Sequence, residues 1–374
     1  MPWGKLEVSV QRFEHKDGSH CQLPLDPSLD SSGWTAASLQ VLGKLASKYS
    51  FAEAVLVAQD FGLLQGISLA GLERLIEPYA QACQDEVREV LESQQTAPLL
   101  PAQGSSRLVV VQADGVRVLG QPKSKLMRQG AKPAKAEQSL DIETETEVGA
   151  KGEGKCEGIE IKTAVVYPQN SPGERSMMAD TSSAEGFTAQ VSGLLRHAKL
   201  HEDDQLVGVS DGAVWLEKSF EALGIPQVID VYHASSYLET VMVEMAWPVW
   251  ERAWERKQWQ EGKVDARQWL KRYLPAEEKR LGWSDDAKTA ANYLLGRQDK
   301  MAYKMYKERG WPIGSGQVEG MNKSIIGKRM KQSGMEWSRA GAGRMAALRA
   351  QMCSRRPVAS HDTLRRRAFP IPVV

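Results

Sequence analysis

The chain has 374 residues, 42% hydrophobic and 25% charged, with 48 Lys+Arg against 47 Asp+Glu. That length suits two or three domains with a real core, and the balance excludes a wholly disordered or collagen-like chain. No apolar run approaches the ~20 residues of a membrane-spanning helix. The opening MPWGKLEVSVQRFEHKDG lacks the apolar stretch of a secretory signal, so a soluble, cytoplasmic protein is expected.

The neutral total hides an asymmetry. From Met301 to Val374 there are 15 Lys+Arg and 4 Asp+Glu, leaving 33 and 43 on the rest of the chain. A basic tail on an acidic chain is the usual trace of contact with a polyanion. The four cysteines, Cys21, Cys83, Cys156 and Cys353, form no C-x-x-C pair and have no His at ligand spacing, so no zinc site is expected.

Residues 1–34 are turn-rich and are read as an N-terminal arm. Residues 35–98 read as helices. Ser50-Phe-Ala-Glu53 is a capping-box pattern, Gly62 can stop its helix, and Ser68 can cap the next, LERLIEPYAQACQDEVREVL. Two helices with a short connection fit a helix-turn-helix for DNA binding, and equally a plain bundle. After a Pro98–Ser106 linker, Leu108-Val-Val-Val-Gln-Ala-Asp114-Gly reads as a buried strand ending in a turn. Residues 121–155 contain no aromatic residue and turn from basic to acidic, as a disordered insertion would. Strand character resumes at Gly158–Tyr167. A helix over Phe187–Leu200, a strand ending at Asp211, a helix over Val214–Leu223 and a strand ending at Asp230 follow. This order predicts an α/β fold with a mixed sheet. Residues 234–310 read as all-helical and hold six of the eleven tryptophans. Trp247, Trp250 and Trp254 lie at i, i+3, i+7, a spacing that predicts core packing, with stacking on unpaired bases as the other use. A Gly-rich turn, Trp311–Gly316, then leads into a helix bearing Glu319.

Acids closing adjacent strands of an α/β sheet gather at one edge, although each also serves as a turn former or helix cap. Two carboxylates on neighbouring strands ~4.8 Å apart, joined by Glu319, would form a hard oxygen set suited to Mg²⁺ or Mn²⁺. On the residues alone, either Asp211 or Asp230 could be the middle acid. There is no Gly-x-x-x-x-Gly-Lys-Ser/Thr loop, so no nucleotide cofactor is expected, and no Gly-x-Ser-x-Gly elbow.

The segments VVVQADG (109–115), VGVSDGAVW (207–215), VIDVYHASSYL (228–238) and PIGSGQVEGMNKSIIGKRMKQSGMEW (312–337) resemble the DDE transposases of bacterial insertion sequences. The likeness is to the Kra-type group, related to the Mutator-like transposases, and runs from about residue 105 to 350. The resemblance implies a ribonuclease-H-like core whose first part spans 105–233. A helical insertion over 234–310, the last part of the core over 311–350 and a basic tail over 351–374 would follow. It puts the catalytic, metal-binding acids at Asp114, Asp211 and Glu319, with Asp230 and His233 as the accessory aspartate-x-x-histidine. In that fold Asp230 lies two strand spacings, ~10 Å, from Asp114, which favours Asp211 as the middle acid. The implied activity is Mg²⁺-dependent cleavage and strand transfer, with Mn²⁺ able to substitute, at the element's terminal inverted repeats and in target DNA. A homo-oligomer on paired ends is the implied assembly. Lys323, Lys328, Arg329 and Lys331 are expected to contact backbone phosphates. A silent transposase-derived DNA binder and another ribonuclease-H-like nuclease or resolvase are the alternative functions.

Overall fold

Valine-rich runs build the centre of the molecule. In the computed structural model of the chain, which describes residues 12–14, 20–22, 36–61, 67–122 and 158–369, a short pair, β1 (Arg12–Glu14) and β2 (His20–Gln22), comes first. Three helices follow, α1 (Ala36–Lys48), α2 (Phe51–Asp60) and α3 (Leu69–Gln94). Next come β3 (Leu108–Leu119), β4 (Gly158–Pro168), β5 (Ser176–Asp180), α4 (Ala184–His197), β6 (Gln205–Ser210), α5 (Val214–Ala222) and β7 (Gln227–Ile229). A helical run holds α6 (Val231–Glu244), α7 (Val249–Gln260), α8 (Ala266–Tyr273), α9 (Glu277–Arg280), α10 (Asp285–Arg297) and α11 (Tyr303–Glu308). The chain closes with α12 (Gly316–Met321), a π-helical turn (Asn322–Gly327), α13 (Lys328–Met330), α14 (Arg339–Cys353) and α15 (His361–Ala368).

The expected α/β fold with a mixed sheet is present, as five strands in the order β5-β4-β3-β6-β7. β6 runs parallel to β3, and β7 to β6, whereas β4 is antiparallel to both of its neighbours. β5, the run SMMAD, was not anticipated as a strand. It is short and buried throughout, so it shows no alternation to read. The expected turn at Asp114-Gly115 is corrected: β3 continues through both residues to Leu119, because β4 pairs with it over Val109–Leu119. Only the parallel pairing with β6 stops, at Gln112↔Val209. The insertion expected over 121–155 lies, beyond residue 122, outside the described residues, as do most of the arm 1–34 and the helix stop at Gly62.

Side-chain alternation divides the core in two. Val109, Val111 and Ala113 face one side, with Ala164, Val166, Met178, α3 and α4. Val110, Val118, Ile161, Val165, Val207 and Val209 face the other, with the helices of 231–308 and with α12. Asp114 and Asp211 share the parity of this second face.

The region 35–98 is helical, with the predicted Ser50/Glu53 capping box and Ser68 as N-cap of α3. It is not a free reading module. Leu72, Ile76, Tyr79, Cys83, Val87 and Leu91 of α3 sink into the sheet-side core. Arg88 forks onto the buried Asp180 at 2.6 and 2.9 Å, and Gln84 and Gln190 donate to the same carboxylate. Burial raises the Asp180 pKa, but the Arg88, Gln190 and Gln84 contacts outweigh it and hold the group ionised. The charged residues left exposed on α3 are Glu73, Arg74, Glu77, Glu89 and Glu92, of which Glu77 pairs with Arg344 at 2.9 Å and Glu89 with Arg367.

The tryptophan spacing is also corrected. Trp247 precedes α7 and packs against Trp269 and Tyr273, but Trp250 and Trp254 are 70% and 57% exposed. The inward face of α7 is set by Glu255, which accepts from the Trp269 indole, and by the fully buried Trp259. Among the described residues no helix is long and apolar enough to cross a membrane.

α3 and α4 touch at Gly193, where a β-carbon would lie 1.9 Å from the Leu91 carbonyl oxygen. Gly193→Ala is expected to lower the unfolding free energy by about 3 kcal/mol, since overpacked backbone cannot give way. Urea unfolding checks this, and a loss under about 0.5 kcal/mol would contradict the packing of α3 on the core.

Candidate active site

Three acids, one within β3 and two just past the ends of β6 and β7, fall into one row. In the β3–β6 register Gln112 faces Val209, so two residues on, position 114 stands level with position 211. In the β6–β7 register Ser210 faces Ile229, so 211 stands level with 230. α12 then lays Glu319 across the row. Asp114, Asp211, Asp230, His233, Ser315 and Glu319 thus line one cleft of about 390 Å³, together with Ala113, Tyr232, Ser236 and Val318.

The acids differ in what holds them. Asp114 Oδ1 accepts from the Gly115 N–H at 2.7 Å and Oδ2 from Asn322 Nδ2 at 2.6 Å. Thr163 in turn donates to Asn322 Oδ1 at 2.8 Å. Asp211 Oδ1 accepts from the Ala213 N–H at 2.9 Å, across a turn in which Gly212 has φ +82°. Only glycine adopts that conformation without strain. Glu319 Oε1 lies 3.1 Å from the Ser315 hydroxyl. Asp230 is 2% exposed and fully engaged. Its Oδ1 caps α6 at the His233 N–H (2.7 Å), and its Oδ2 accepts from the Ser315 N–H (2.6 Å) and faces the Ser315 hydroxyl (2.9 Å). Asp230 therefore ties β7 and α6 to the loop that carries Glu319, while Asp211 stands half-buried at the cleft. The His233 ring lies edge-on to Tyr237 and Tyr293 at 5.3 and 5.9 Å between centroids.

Burial, then the charge of Asp211, and more weakly that of Glu319, push the Asp114 carboxyl up to about 6; the Gly115 and Asn322 contacts oppose them. The charges of Asp211 and Glu319 reach Asp114 because all three carboxylates line the same cleft. Among the described residues no group of three or more His, Cys, Asp or Glu stands close enough to hold a metal ion. Each acid is instead turned to its own local donor. The donor set fits a hard divalent cation in chemistry: oxygen ligands only, with like charges that a cation would relieve.

Two positioning residues escaped the sequence reading. Gln112 is a buried amide in a run of valines. Its Oε1 accepts from the Gln317 and Val318 N–H groups, both at 3.0 Å, and its Nε2 donates to the Gly314 carbonyl at 3.1 Å and to the Tyr167 hydroxyl at 2.9 Å. It fastens the first turn of α12 to β3. A lone polar residue at an inward strand position was the available signal. Asn322 follows Glu319 by three residues, one helical face on. It opens the π turn, whose Ser324 and Ile325 carbonyls are taken up by the Arg349 guanidinium.

Lys323 and Lys328 on the helical run Gly316–Met330, and Lys331 just past its end, are exposed. Arg329 is not, and its predicted phosphate contact is corrected. It is 2% exposed, donates to the Ala46 carbonyl of α1 at 3.1 Å and lies over the Phe51 and Trp337 rings. Burial and the charge of Arg349 lower its pKa to about 10, so it remains a cation that joins α13 to the N-terminal helices.

No protein-family model and no curated protein matches the chain. Among solved structures it is similar to the Mos1 strand transfer complex (13% identity over 72% of this chain and 77% of that one, TM-score 0.17). It is also similar to the Mos1 transposase paired-end complex with left transposon end (11%, 76% and 82%, TM-score 0.17). An overlay that loose transfers no residue and no role.

The raised Asp114 pKa opposes folding once the group ionises. The effect is absent below the unfolded value of 3.8, grows as pH rises, and is complete above about 6. Without divalent cation, the unfolding free energy of Asp114→Asn relative to wild type is expected to shift in the variant's favour by about 2–3 kcal/mol between about pH 3.5 and 7.5. Urea titrations at both pH values measure it, and a pH-independent difference would contradict the burial of Asp114 beside Asp211.

Proposed function

We propose that the protein is a DDE transposase of an insertion sequence, similar to the Kra-type group. It would bind the element's terminal inverted repeats and catalyse metal-dependent strand cleavage and strand transfer, working as a homo-oligomer on paired ends. One observation carries the reading. Asp114, Asp211 and Glu319, far apart in the chain, line one cleft at the edge of a five-stranded mixed sheet. The order β5-β4-β3-β6-β7, with β4 reversed, suits a ribonuclease-H-like core interrupted by the helices over 234–310.

Asp114, Asp211 and Glu319 would hold Mg²⁺, or Mn²⁺ in its place, which when bound supplies Lewis-acid polarisation of phosphate oxygens and of the attacking water. Phosphoryl transfer asks the protein for placement and charge neutralisation. Gln112, Asp230 and Ser315 set the position of Glu319, and Asn322 aims Asp114. His233, as an accessory group on the cleft wall, can contact a phosphate or hold a proton. Lys323, Lys328 and Lys331 neutralise backbone phosphates beside the cleft.

Cleavage of a duplex carrying the element's end, with Mg²⁺ and a random duplex as control, tests the activity. Glu319→Gln, Asp114→Asn and Asp211→Asn are each expected to lose roughly 10³-fold or more, as removal of a member of a catalytic set does. Glu319→Gln with full activity would refute the assignment. Cutting at branches would mark a resolvase, and binding without cutting a silent DNA binder.

The salt dependence of binding tests the cations separately. Replacing Lys323, Lys328 and Lys331 by alanine is expected to lower the slope of log K against log salt by about 3. Arg329→Met is expected to leave that slope alone and to reduce stability instead. An unchanged slope for the triple variant would remove these lysines from the interface.

A further inference from the structure

Asp211 has a second set of contacts, made to its backbone rather than to its carboxylate. The Tyr293 hydroxyl donates to the Asp211 carbonyl at 2.5 Å, and Arg297 Nε donates to the Gly212 carbonyl at 3.0 Å. Both side chains come from α10, four residues apart and so on one face of that helix. Two successive carbonyls of a left-handed turn are thus gripped by one helix of the segment 234–310.

The grip is itself braced. Tyr293 stacks on Tyr237 of α6 with centroids 4.0 Å apart and planes at 19°, and the Arg297 guanidinium lies over the Tyr293 ring at 4.4 Å. Arg297 also pairs with Glu217 of α5 at 3.0 Å. At Gly212 a β-carbon would come within 2.8 Å of Arg297 Nε and 2.9 Å of Ile229, so the turn is enclosed as well as bonded. The neighbouring acids are held by other segments: the Thr163 hydroxyl of β4 lies 3.1 Å from the Asp114 carbonyl oxygen, and Gln112 of β3 fastens the first turn of the helix that carries Glu319.

We propose that Tyr293 and Arg297 are positioning residues that fix the Asp211 carboxylate in the cleft by clamping the 211–212 backbone. The helical segment 234–310 is then a working part of the site. The proposal rests on the reading of Asp211 as a metal-binding acid only for its consequence; the clamp itself is a matter of geometry. A turn held at both carbonyls presents its carboxylate in one place, and loosening such outer contacts typically costs 10–100-fold in metal affinity.

Two measurements on the full chain separate the clamp from the metal reading. The Ala213 amide donates to Asp211 Oδ1, so its native-state hydrogen exchange reports the acid's position without any metal. Tyr293→Phe keeps the ring stack and removes the donor; Arg297→Lys keeps the charge and removes the Nε donor. Each is expected to speed exchange at Ala213 about tenfold, with β6 amides and the melting temperature near wild type. Mn²⁺ alone, followed by electron paramagnetic resonance, is expected to bind at least 10-fold more weakly to each variant. Tyr293→Phe should add no further loss on an Asp211→Asn background, because both act through one carboxylate. Wild-type exchange at Ala213 in both variants would overturn the clamp, as would an equal loss of Mn²⁺ affinity with and without Asp211. Faster exchange together with no Mn²⁺ binding by the wild type would support the clamp and overturn the metal reading.

Discussion

The parallel register of β3, β6 and β7 is the constraint on which the rest depends. Parallel strands advance at a common rise, so a pairing set deep in the sheet decides which residues emerge together at its end. Here Gln112 against Val209 and Ser210 against Ile229 bring positions 114, 211 and 230 to one level. A slip of one residue in either pairing would turn an acid to the opposite face and set a valine or alanine in the cleft. Val207, Val209 and Val228 hold the register because their side chains are buried on the same face.

Three acids in a row are not equivalent, and the difference comes from their neighbours. Asp230 is saturated by backbone and hydroxyl donors and acts as a tie between β7, α6 and the loop before α12. Asp114 and Asp211 keep capacity facing the cleft, and burial, joined by the Asp211 charge, raises the Asp114 pKa. Each acid is steadied by a polar residue from another segment: Asn322 for Asp114, Gln112 for the helix that carries Glu319, and Tyr293 for the backbone of Asp211. The helices over 231–308 supply part of that support, which gives a long all-helical stretch beside a sheet edge a physical purpose.

The N-terminal helices and the basic run after Glu319 meet through buried charge. Arg88 on Asp180 and Arg329 on the Ala46 carbonyl both join α1–α3 to the core. A buried guanidinium with good partners is costly to orphan, so these contacts define how the helices seat rather than adding much to stability. They also explain why Arg329, a cation that looks available in the sequence, is absent from the surface.

Local pattern was enough for the valine runs, the Ser50 and Ser68 caps and the all-helical stretch after Asp230. These follow from short-range physics: period, capping and turn chemistry act within a few residues. Local pattern left Asp211 and Asp230 as equal candidates, and the grouping of Asp114, Asp211 and Glu319 with Asp230 and His233 was implied by the family resemblance of their segments. What the tertiary structure alone decided was long-range. β3 runs past Asp114 because β4, beyond residue 157, pairs with it. Arg329 is buried because α1 and Trp337 close over it, Trp250 and Trp254 face outward because Trp259 claims the inner side of α7, and Asn322, Gln112 and Tyr293 matter through partners up to some two hundred residues away. Such contacts leave no periodic mark on the chain, since each is one side chain meeting one distant backbone group.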